Sequence, residues 1–77
     1  MITIEEFKEK AIIRVAVKLE AQVNKKIRMD RNAYVDYING LINGYELTKG
    51  VVLKKEVRQE MLADIMIESG VMGEVLV

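Results

Sequence analysis

Apolar residues recur at steps of three and four along most of the chain, and three stretches carry the pattern. Between residue 4 and about residue 28, Ile12, Ala16, Leu19, Val23 and Ile27, joined by Val15, make one stripe of an amphipathic helix. Ile13 and Val17 form a weaker strip about a quarter-turn outside it, so the segment AIIRVAV is apolar nearly all round except at Arg14. A helix of that kind is expected to be covered on two sides, by its own chain and by a partner. Over 31–48, Tyr34, Ile38, Leu41 and Tyr45 fall at i, i+4, i+7 and i+11, with Val35 and Ile42 beside them. Over 52–69, Leu53, Val57, Met61 and Ile65 make a third stripe flanked by Leu62 and Met66. The tail VMGEVLV is short and apolar, and is expected to pack on the core or to add to a partner.

Local signals punctuate these stretches. Thr3 and Glu6 form a T-x-x-E capping box, and Ile2 and Phe7 stand at the N′ and N4 positions of a hydrophobic staple. Glu5 and Glu6 suit the positive end of the first helix. Asp30 is the expected N-cap of the second helix, and Gly50 its left-handed C-terminal residue. Ser69-Gly70 closes the third.

Two competing patterns share the chain. Residues 13–23 also alternate with period two, in a stretch rich in β-branched side chains, so a strand at about 12–23 in an α+β fold is the alternative. Against it, so long a strand is unusual in a small domain, and no turn residue separates it from the capped start. Asn39-Gly40 and Asn43-Gly44 could each make a hairpin turn, but neither flank alternates strictly. Read as helix, Gly40 and Gly44 lie one turn apart with Ala33 and Tyr37 flanking them. Each glycine costs about 1 kcal/mol relative to alanine. That cost points to a close approach of another backbone there.

Composition turns this pattern into an expected assembly. Seventy-seven residues make one domain, 1–77, and 51% of them are hydrophobic. So short a chain has little interior for that much apolar surface, and without cysteine it has no disulfide staple. The expectation is a small all-α, three-helix domain that forms a homo-oligomer. Absence of cysteine fits a reducing compartment, and the acidic start MITIEEF lacks a basic signal-peptide region. No uncharged apolar run nears the roughly 18 residues of a membrane helix, so a soluble cytoplasmic protein is expected.

Charge adds a polarity. The chain is neutral overall, yet residues 8–31 carry eight Lys/Arg against three acids, and residues 32–77 carry four against seven. Such asymmetry suits nucleic acid binding or head-to-tail association.

Chemistry is sparse. Without His or Cys, neither a Ser-His or Cys-His nucleophile nor a Cys/His zinc site can be built, so no enzyme and no cofactor is expected. Glu56, Glu60, Asp64 and Glu68 recur every four residues and could meet a hard cation, but one helix rarely encloses an ion. A solvated face, attractive to the basic half of another subunit, is the expected use. The predicted function is therefore a non-enzymatic protein-interaction module, an adaptor, inhibitor or assembly component. Its composition would suit a phage or mobile-element accessory protein. The predicted interface comprises Ile13, Val17, Tyr37, Gly40, Gly44, Val71 and Val75. The alternative is a small nucleic-acid-binding regulator contacting its target through Arg14, Lys18, Lys25, Lys26, Arg28 and Arg31.

Overall fold

A computed structural model describes residues 2–25 and 30–72. It contains three helices, α1 (Ile4–Asn24), α2 (Arg31–Lys49) and α3 (Lys55–Glu68), each packed against the other two, and no strand among the described residues. Residues 12–23, the rival strand, are helical throughout. Gly40 and Gly44 lie inside α2 and form no turn. Among the described residues, no helix is long and apolar enough to cross a membrane.

The helix ends follow the local signals. Thr3 Oγ1 accepts the Glu6 N–H at 3.1 Å, and its hydroxyl donates to Glu6 Oε1 at 3.3 Å. Both halves of the expected box thus involve the same two residues, although Glu6 meets the hydroxyl and not the Thr3 backbone. Asp30 Oδ1 accepts from the Asn32 N–H at 2.9 Å. Gly50 takes φ +69°, and its N–H returns to the Glu46 carbonyl. Ser69 caps α3, and Gly70 follows at φ +91°. These are the two positions where only glycine turns the chain without strain.

The helices run up, down and up. Phe7 stacks on Tyr45 with ring centroids 4.6 Å apart, and the Tyr34 hydroxyl donates to Gln22 Oε1, so α1 and α2 are antiparallel. Burial pushes the Tyr34 phenol above its ordinary value. Lys8 reaches Asp64 at 3.4 Å, tying the start of α1 to α3. That carboxylate holds the Lys8 ammonium above the usual lysine value, and Glu5 adds to the effect. The core gathers Phe7, Ala11, Val15 and Leu19 from α1 and Tyr34, Ile38, Ile42 and Tyr45 from α2. Met61, Ile65 and Met66 of α3, with Val71 beyond it, complete it.

Three expectations are corrected. The buried arc of α1 is Phe7, Ala11, Val15 and Leu19; Ile12 and Ala16 are only partly covered, and Val23 is exposed. The helix carries more apolar residues than one interior face can take, and α2 and α3 select which arc enters. The helix also stops short of residue 28, ending at Asn24, with Lys25 donating back to Ala21. Ile27 lies outside the described residues. Finally, α3 begins at Lys55 and not at 52, because the connection is held extended from α2. Glu46 Oε2 accepts the Leu53 N–H at 2.6 Å, while Oε1 pairs with Arg58, one side chain thereby fixing both the linker and the first turn of α3.

That clamp is partly buried on both partners. Removing one member leaves a donor and a charge poorly hydrated. Glu46→Ala should lower stability by about 1–3 kcal/mol in urea unfolding, discounted for residual solvent at the pair. Glu56→Ala, on the open face of α3, should change it by less than about 0.5 kcal/mol.

Candidate functional site

The α1–α2 seam gathers most of the residues singled out in the sequence. Antiparallel packing sets one flank of α1 beside one flank of α2, with no α3 residue between them. Near the start of α1 the seam opens into a depression of 570 Å³. Ile2, Phe7 and Ala11 form its floor with Leu41 and Tyr45, while Gly44 and Thr48 form its far wall. Lys10, Arg14 and Lys49 stand around the rim. A second depression of 380 Å³ continues past Arg14 to Ile13, Val17, Lys18 and Tyr37. The two share Arg14, so they make one groove along the seam.

Apolar side chains border this groove and remain in water. Ile13 is 62% exposed and Val17 is 61% exposed, although both sit mid-helix in a domain with little interior. Tyr37 is half-buried, and the Lys18 ammonium lies 5.2 Å from its ring centroid, within reach of a cation–π attraction. Lys49 lies similarly over Tyr45 at 5.9 Å.

The glycines open the wall. A Cβ built on Gly40 or Gly44 would meet nothing within 4 Å. None of the three described helices approaches them, so the expected close packing within the chain is not found among the described residues. Thr48 Oγ1 instead donates to the Gly44 carbonyl at 2.9 Å, closing the backbone on the exposed side. The conformational cost of the two glycines is therefore not offset by a helix contact among the described residues.

The charge on the seam is one-sided. Lys10, Arg14 and Lys18 step by four residues along α1, and Lys25 follows seven residues later, continuing the row. None of these four forms an ion pair among the described residues, and no Asp or Glu lines either depression. The flank of α2 facing them carries no acid: Tyr37, Leu41, Gly44 and Thr48 are uncharged, and Lys49 at the helix end adds a further cation.

The remaining site expectations fare differently. Val71 is fully buried in the core and so cannot belong to an exposed interface, because the chain turns at Gly70 and folds it under Leu19 and its neighbours. Val75, Lys26 and Arg28 lie outside the described residues. Arg31 is separated from the basic row: it edges a depression between α2 and α3 with Val35, Leu62 and Met66. Arg14, Lys18 and Lys25 share the α1 flank, and Lys10 belongs with them, although the sequence reading had not included it. Leu47, Val51 and Val52 were also missed as a surface. They cluster at the α2–α3 turn, with Leu47 84% and Val52 92% exposed. Among the described residues no group of three or more acidic side chains converges to hold a metal.

In comparisons with known proteins, no family model, no curated protein and no solved structure matches the chain. Function has to be argued from the seam itself.

Because both helical glycines face open space, alanine should fit each without a clash. Gly40→Ala and Gly44→Ala should each raise the stability of the dilute subunit by about 0.5–1 kcal/mol through helix propensity. Chemical denaturation at low protein concentration measures the gain, and a loss at either site would mean that another helix approaches the backbone there.

Proposed function

We propose that the chain is a non-enzymatic protein-interaction module, acting as adaptor, inhibitor or assembly component, and that it works as a helical homo-oligomer. The observation that carries this reading is the exposure of Ile13 and Val17 along a groove whose glycine wall is open. Covering each such side chain contributes about 1.5–3 kcal/mol. A subunit that leaves both in water, next to an apolar floor, has a face suited to another polypeptide. The interface on this reading is Ile13, Val17, Tyr37, Gly40 and Gly44, with the Leu47–Val52 cluster as a second apolar surface.

Association of folded subunits makes the melting temperature rise with protein concentration. Light scattering should give a mass above that of one subunit, and the doubly substituted Ile13→Asp, Val17→Asp chain should remain helical while falling to a monomer. A wild-type chain that stays monomeric at every concentration, with an unchanged melting point, would overturn the reading.

A nucleic-acid regulator is the second reading, favoured by the row Arg14, Lys18 and Lys25, which forms no ion pair among the described residues. Each phosphate contact adds about 0.9 to the slope of log affinity against log salt for duplex DNA. Binding through this row should therefore fall steeply with salt and weaken in Arg14→Ala and Lys18→Ala. Absence of any gel shift with DNA or RNA at low salt removes this reading.

A further inference from the structure

The seam has a counterpart on another side of the same bundle. Glu56, Glu60, Ala63 and Ile67 fall at i, i+4, i+7 and i+11 of α3, and all four are exposed. Ile67 is 65% exposed and lines, with Ala63, the depression edged by Arg31, while Glu56 and Glu60 further back on this face form no ion pair among the described residues. Asp64, the next acid in the ladder, is turned inward to Lys8.

We propose that the α1–α2 seam receives α3 of a second copy, so that subunits join head to tail. The inference rests on the reading of the chain as a self-associating module and names the two surfaces that meet. Three features of the seam have matching features on α3. The cations Lys10, Arg14 and Lys18 repeat every four residues, as do Glu56 and Glu60, so both rows step by about 6 Å per repeat. The seam contributes an apolar floor with no carboxylate, and α3 contributes Ala63 and Ile67, which follow Glu56 and Glu60 on the same face. Gly44 leaves the wall of the seam low, which admits an incoming helix at short range.

A two-fold contact of seam against seam is disfavoured by the same charges. It would set Lys10, Arg14 and Lys18 against their own copies, whereas α3 meets them with opposite sign. The chain as a whole is neutral, so copies do not repel at long range. Seam and α3 lie on different sides of the bundle, which makes the contact heterologous. Such contacts close into a ring or extend as a chain.

A mixing experiment separates these possibilities. Arg14→Glu disables the seam and leaves α3 intact; Ile67→Glu disables α3 and leaves the seam intact. Both positions are exposed, so both chains should keep the wild-type helical spectrum. Each variant alone should self-associate at least about tenfold more weakly than wild type, and raising salt should weaken the wild-type assembly. Mixed one to one, the two should form a discrete dimer of one chain each that does not grow with concentration, because only one seam and one α3 remain usable. Gly44→Leu, which fills the seam, and Glu60→Gln form a second pair if either first variant fails to fold. A wild-type oligomer that neither substitution affects, or a mixture that stays monomeric, overturns the head-to-tail contact while leaving self-association standing. A wild-type chain that is monomeric throughout overturns both.

Discussion

The interior shared by three short helices is small, and that limit shapes the rest of the molecule. Val15, Ile38, Ile42, Ile65 and Val71 are excluded from water altogether, and Tyr34 almost so, at the junction where all three helices meet. Each helix can place only one narrow arc there. The side chains left over, Ile13 and Val17 on α1, Leu47 on α2 and Ile67 on α3, stand outside for want of room and not for want of hydrophobicity. Burial of an aliphatic side chain is worth about as much on an outer face as in a core, provided another surface covers it. The surplus apolar surface is thus a direct result of chain length and composition.

Electrostatics then sorts the outer surface. Among the described residues the ion pairs between helices are few and structural: Lys8 with Asp64 joins α1 to α3, and Arg58 with Glu46 joins α3 to the end of α2. The remaining charges are segregated. One flank of α1 is basic over Lys10, Arg14, Lys18 and Lys25, and the outward face of α3 carries Glu56 and Glu60. Exposed pairs between such rows are individually worth little in water. Their value rises when an apolar contact excludes solvent from between them, and each row here lies beside uncovered apolar surface.

Much of this was legible in the sequence, and the parts that were not share a cause. The capping box, the Asp30 cap and the left-handed glycine at 50 are written within a few residues, and they fixed the start of α1 and both ends of α2. On α2 the expected stripe entered the core at Tyr34, Ile38 and Tyr45, while Ile42 took the place expected of its neighbour Leu41, which is only partly covered. On α1 the residues Ile12, Ile13, Val15, Val17, Leu19 and Val23 offer several arcs of similar hydrophobicity. The choice among them belongs to α2 and α3. The start of α3 depended on Glu46, seven residues before the amide it holds, and no local pattern around Val51–Lys54 records that contact. Lys10 escaped notice for the same reason, since it becomes part of a rim only once the uncharged flank of α2 lies beside it.

The two glycines of α2 bring these lines together. Each lowers the intrinsic stability of an exposed helix, and nothing among the described residues occupies the space that it opens. If that face met only water, alanine would serve better at both positions. A low wall does matter if a second helix must lie close to α2 while still reaching the cations of α1 across the groove. A bulky residue at position 44 would hold such a helix away from the floor formed by Phe7 and Tyr45, and its acids away from Arg14. The glycines, the uncovered isoleucine and valine, and the basic row without ion pairs among the described residues are three separate departures from what an isolated stable subunit would have. A helix seated in the seam, as proposed above, would give all three a physical purpose.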